Sequence, residues 1–97
     1  MSAFFVSTVT VKDVEKFQAY AKKAGQLVTQ FGGEMLTRGK YLGSFTPEER
    51  AHNAVGIIKF PDIGAMESWY ESAEYQRIIP LREAASDMVI AKYEEVQ

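Results

Sequence analysis

Cysteine is absent from the 97 residues, histidine and tryptophan occur once each, and proline occurs three times. Without cysteine there is no disulfide framework, no thiolate nucleophile and no cysteine-ligated metal, and a reducing cytoplasm is the expected compartment. No run approaches the roughly 20 apolar residues that a membrane-spanning helix requires, so no membrane partner is expected. The stretch from Met1 to Ser7 carries no basic residue, and Ser7, Thr8 and Thr10 interrupt its apolar run, which predicts no signal peptide. Neither sign of charge dominates. Eleven basic residues stand against 13 acidic ones for a net charge of −2, and their dispersal argues against nucleic acid as a partner. Lys12, Lys16, Lys22 and Lys23 gather on one segment and read as the solvated face of a helix.

Metal ligands are equally sparse. One histidine and the adjacent pairs Glu48-Glu49 and Glu94-Glu95 lack the spacing that makes donor atoms converge, so no metal is expected. The glycines at 32, 33, 39 and 43 match neither the dinucleotide fingerprint nor the phosphate-binding loop, and no cofactor is expected.

What is present reads as a single domain over residues 1–97. The 46% hydrophobic and 25% charged content is that of an ordinary globular chain with room for one core. A chain this short buries only about 60–65% of the surface its unfolded form exposes, so a partner would add materially to its stability.

Residues 3–11 alternate, with Phe5, Ser7, Val9 and Val11 on one face and Phe4, Val6, Thr8 and Thr10 on the other, which predicts a strand. Asp13 offers a helix-capping oxygen. Val14, Phe17, Ala21, Ala24, Val28 and Phe31 then recur at helical spacing, with Tyr20 and Leu27 widening the stripe. Gly32-Gly33 ends this helix. Residues 34–38 form a short second strand, with Gly39 and Gly43 bracketing a hairpin or bulge. Residues 46–53 are a polar, exposed loop with room for one helical turn, and residues 54–60 a third strand that is apolar on both faces. Asp62 caps a second helix with Ile63, Met66, Trp69 and Tyr70 turned inward. Ser72 caps a further helical piece in which Pro80 must kink the chain or begin a new turn. A last strand covers residues 88–94.

The order βαββαβ, with right-handed crossovers, defines an α+β ferredoxin-like fold: a four-stranded antiparallel sheet with its helices on one face. Yet Phe4 and Val6 oppose Phe5 and Val9, and Val55 and Ile57 oppose Ile58 and Phe60, so the sheet is apolar on both sides. Each large side chain left uncovered forgoes about 1.5–3 kcal/mol of burial. Two copies packed sheet to sheet, a dimeric α+β barrel, would cover the second face, and a homodimer is the expected assembly.

Gly32-Gly33, Arg38-Gly39, Phe60-Pro61, Trp69-Tyr70 with Ser72, Glu74-Tyr75-Gln76 and Arg82 resemble the small bacterial proteins of the domain of unknown function 1330 family. The resemblance spans nearly the whole chain and is most specific from Trp69 to Gln76 and at Arg82. It implies the dimeric α+β barrel superfamily and brings no established reaction. The Phe-rich first strand and the charged 46–53 loop depart from the family's usual pattern.

Arg38, Trp69, Tyr75 and Arg82 are the candidate ligand-binding residues, because a guanidinium fork recognises carboxylate or phosphate and aromatic walls exclude water around it. Tyr75 and Arg82 lie two helical turns apart and project from one side. The structural alternative makes Arg82 an ion-pair partner of Glu34 or Glu74 and Trp69 plain core. His52, the one side chain that titrates near neutrality unaided, falls in the polar loop without an assignable carboxylate, and no catalytic residue is designated. Haem-degrading and antibiotic monooxygenases share the barrel, but the order of Trp, His and Asn here does not match theirs. Three functions follow. The first is a homodimer that binds a small anionic or aromatic metabolite. The second is an enzyme of the cofactor-independent monooxygenase or isomerase kind, and the third is a structural dimer with no small ligand.

Overall fold

Strict alternation of side chains gives β1 (Ala3–Val11) two different faces in the computed structural model, which describes residues 1–48 and 52–96. Ala3, Phe5, Ser7 and Val9 are buried, while Phe4, Val6, Thr8 and Thr10 on the opposite side are only half-buried. The strand sits inside an antiparallel sheet of order β2-β3-β1-β4, with β2 at Glu34–Lys40, β3 at Ala54–Phe60 and β4 at Ser86–Glu94. Three helices, α1 (Val14–Gln30), α2 (Ile63–Glu71) and α3 (Ala73–Ala85), complete the order βαββααβ. All three pack on the Phe5 side, where Tyr20, Leu27, Val28, Met66, Trp69, Tyr75 and Ile78 join Phe5, Ile58 and Phe60 in one core.

The helix ends are set by local chemistry. Asp13 Oδ1 accepts from the backbone N–H of Lys16 at 3.0 Å, and Asp62 Oδ1 does the same for Ala65 at 2.7 Å, each satisfying one of the donors a helix start leaves open. At the end of α1, Gly32 adopts φ 82° and Gly33 N–H returns to the Val28 carbonyl at 2.9 Å, a glycine closure that other residues resist. Gly33 is held tightly for a second reason. A Cβ built there would lie 2.8 Å from both Phe60 Cε1 and Val28 Cγ1. Gly33→Ala is therefore expected to destabilise the fold by about 1–3 kcal/mol through overpacking, read as a lower urea midpoint at unchanged slope.

Four details differ from the sequence reading. Val14 is 63% exposed and Ala21 is also exposed. At 100° per residue these two lie about 100–120° around the helix from Tyr20, on the flank of the buried stripe instead of its centre. The irregularity in β2 falls between Met35 and Thr37, and the strand continues through Gly39 to Lys40. Pro80, expected to kink the chain or begin a new turn, is accommodated inside α3 with its missing donor, while the helical break falls at Ser72 as expected, its Oγ receiving the Tyr75 N–H at 3.2 Å. The last strand begins at Ser86, two residues before the predicted start. Of the predicted 46–53 loop, residues 49–51 lie outside the described residues. Its far end is pinned by Asn53, whose N–H donates to Val9 O at 2.7 Å and whose Oδ1 accepts from Val11 N–H at 2.9 Å.

Candidate functional site

The break at Ser72 separates α2 from α3, and the aromatic residues of the two helices stack together. Trp69, 2% exposed, packs on Phe5 at 5.1 Å and on Tyr75 at 4.4 Å between ring centroids, with Tyr70 at 4.9 Å from Tyr75. Two turns after Tyr75, the Arg82 side chain is 12% exposed and lies against this cluster. Its Nη1 donates to Tyr75 OH at 3.0 Å and to Tyr70 OH at 3.2 Å, and its Nη2 to Glu83 Oε1 at 2.9 Å. The ion-pair partner is thus the adjacent, exposed Glu83, where sequence reasoning offered Glu34 or Glu74.

Tyr75 OH also meets Tyr20 OH of α1 at 2.8 Å, and Tyr20 OH in turn reaches Met88 Sδ at 4.0 Å. The order of donation that satisfies every group runs from Arg82 to Tyr75, from Tyr75 to Tyr20 and from Tyr20 to the thioether. Burial pushes the Tyr20 phenol well above its ordinary value, with Tyr75 adding to the effect. Burial likewise raises Tyr75, although its hydrogen bonds with Tyr20 and Arg82 oppose it. Burial works against the Arg82 charge, but hydrogen bonds to Tyr70, Glu83 and Tyr75 outweigh it and hold the guanidinium protonated.

Beside this network a cavity of about 370 Å³ opens between α2, α3 and β4. Phe5, Met66, Trp69, Met88 and Ile90 form its apolar walls, with Arg82 among the lining residues and Glu67, Glu71 and Lys92 supplying the remaining charge. Lys92 Nζ and Glu67 Oε2 pair at 2.8 Å, and that hydrogen bond holds the ammonium above its ordinary pKa. Two donors on the lining residues are buried without any hydrogen-bond partner: Trp69 Nε1 and Arg82 Nε. A buried N–H left unmatched costs about 1–3 kcal/mol.

Of the four sequence candidates, Trp69 and Arg82 line this cavity, and Tyr75 lies immediately behind Arg82 as its hydrogen-bond acceptor. Arg38 is not with them. It lies on β2, in a separate trough of about 440 Å³ beneath α1. His52 lines neither hollow, its ring packing at 4.3 Å on Tyr41. Sequence reasoning missed the hydrogen-bonding roles of Tyr20, Tyr70 and Met88. Their one signal was the inward stripe that also carried the core, with nothing to set their polar tips apart. Among the described residues no cluster of three or more histidine, aspartate or glutamate side chains could hold a metal ion, and no helix is long and apolar enough to cross a membrane.

An antiparallel sheet of order β2-β3-β1-β4 with its helices on one face is the ferredoxin-like fold. The chain belongs to the family described as Domain of unknown function (DUF1330), whose model matches residues 2–96. No curated protein matches it. Among solved structures it is similar to a protein of unknown function from Rhodopseudomonas palustris, at 18% identity over 99% of this chain and 83% of that one, with a TM-score of 0.83. SnoaB, a cofactor-independent oxygenase from Streptomyces nogalater, matches at 15% identity over 99% and 94% of the two chains, with a TM-score of 0.70. A dimeric ferredoxin-like protein of unknown function from a Jannaschia species matches at 11% identity over 98% and 100%, with a TM-score of 0.76.

Proposed function

We propose that this protein is a homodimer in which each subunit binds a small anionic or aromatic metabolite in the cavity between α2, α3 and β4. The reading rests on one observation: Trp69 Nε1–H and Arg82 Nε–H are buried donors without acceptors, and both residues line the same cavity. A ligand oxygen, from a carboxylate, phenolate or polarised carbonyl, is the group that would complete them. The walls of Phe5, Met66 and Met88 suit a flat apolar body attached to that oxygen. Glu67 and Glu71 restrict the negative charge the site tolerates, which favours a monoanion or a neutral aromatic ketone over a polyanion. Tyr75 acts from behind, holding Arg82 in place.

The test is a thermal-shift screen of wild type against small aromatic carboxylic acids and phenols, repeated on Trp69→Phe. Phenylalanine keeps an aromatic ring at this position but removes the indole donor together with part of the buried ring volume, so the Tm of the free variant is recorded beside its binding. The best ligand should lose about tenfold in affinity. A wild type that no compound stabilises would favour the structural dimer, and equal binding by Trp69→Phe would remove the donor argument.

A second reading, an enzyme of the cofactor-independent oxygenase or isomerase kind, draws support from the fold shared with SnoaB and from the guanidinium at the cavity, which would stabilise a developing enolate. Turnover of a ligand found in the screen, with oxygen uptake recorded, separates it from simple binding.

A further inference from the structure

The trough that holds Arg38 shares a single lining residue, Met88, with the cavity between α2, α3 and β4. Its shape follows from small residues at matched register positions. Across the sheet, Arg38 pairs with Gly56, which pairs with Ser7, and Lys40 pairs with Ala54, which pairs with Val9. Directly paired residues share a face, so both cations project on the helix side. Between them and β1 stands nothing larger than the methyl group of Ala54. Ala21 leaves the α1 side equally open, and Phe17, Val9 and Met35 supply the apolar lining.

The electrostatics are one-sided. Arg38 and Lys40 are exposed, and among the described residues neither has an ion-pair partner and no carboxylate lines the trough. Two residues apart on one strand, their backbones are separated by about 6.5–7 Å, a span that long side chains can close around a single carboxylate. In a chain of net charge −2, an unpaired cation pair facing an apolar hollow is complementary to a molecule with one anionic head and a hydrocarbon tail. We propose that the trough between α1 and β2 binds an amphipathic monocarboxylate, with its head between Arg38 and Lys40 and its tail along Val9, Phe17 and Met35. The volume of about 440 Å³ lies within the range of roughly 300–1,000 Å³ typical of small-ligand sites.

Calorimetric titration of the intact protein with submicellar decanoate, decan-1-ol and acetate tests this. Decanoate should bind once per chain at least tenfold tighter than either control, since each control lacks one of the two recognised parts. Arg38→Gln/Lys40→Gln, changes at exposed positions, should weaken decanoate at least tenfold with unchanged circular dichroism and Tm. Ala21→Leu, at an exposed helical position that tolerates leucine, should weaken it by filling the hollow while leaving both cations in place. Trp69→Phe should bind decanoate as wild type does. Equal binding of decan-1-ol, indifference to the Arg38/Lys40 double variant, or loss of decanoate in Trp69→Phe would each overturn the assignment.

Discussion

Ile57→Lys is expected to yield a folded monomer where the wild type sediments as a dimer. Ile57 lies on the sheet face that carries no helix, directly opposite Val6, with Phe4 opposite Tyr93 and Thr8 between Val55 and Val89. Phe4 and Tyr93 stack at 5.4 Å, yet Tyr93 stays half-exposed and Val89 is 66% exposed in the lone chain. A contiguous apolar face of this kind marks an interaction surface. In a two-fold interface any substitution acts twice, and two unpaired ammonium groups buried between sheets cost several kcal/mol each. The fold itself should survive, because position 57 contributes nothing to the helix-side core. Sedimentation velocity at micromolar concentration decides the matter. A wild type that sediments as a monomer, or an Ile57→Lys variant that remains dimeric, contradicts the sheet-to-sheet assembly.

Alkali should unfold the protein unusually steeply. Tyr20 and Tyr75 both have phenols raised above the ordinary value of 10.0 in the native state, so each gives up its proton at higher pH in the fold than in the unfolded chain. Stability is complete below pH 10 and falls as pH rises beyond it, by about 1.4 kcal/mol per pH unit for each tyrosine so held. Urea midpoints between pH 9 and pH 11.5 measure the slope. Tyr20→Phe/Tyr75→Phe should flatten it by up to two proton equivalents, leaving the lysine background. The single variant Tyr75→Phe should be less stable than the double one, because it strands the Tyr20 hydroxyl in the core with only the Met88 sulfur for company. An unchanged slope in the double variant would mean that the pair is not held neutral in the fold.

The elements were legible because their signals are local. The alternation of residues 3–11, the capping oxygens of Asp13, Asp62 and Ser72, and the closure at Gly32 each depend on groups within a few residues of one another. Tyr75 and Arg82 could be placed together for the same reason, since two helical turns put them on one side. Arg38 could not be separated from them. Its place in a second hollow depends on the pairing of β2 with β3 and on the small residues Gly56 and Ala54 opposite it. Nor could Glu83 be preferred to Glu34 or Glu74, since the choice rests on where the guanidinium points once Tyr70 and Tyr75 have claimed Nη1.

From residue order alone came the ferredoxin-like sheet, its family resemblance and the surplus of apolar side chains that leaves one face without a cover. Those properties follow from hydrophobic period and from hydrogen bonds that close within a turn. Tertiary packing alone set the Tyr20–Tyr75–Arg82 chain, the unmatched donors on Trp69 and Arg82, and the division of two arginines between two hollows. Tyr20 and Tyr75 are 55 residues apart, and contacts at that distance exist only once α1, α3 and the sheet have fixed the directions of the side chains between them.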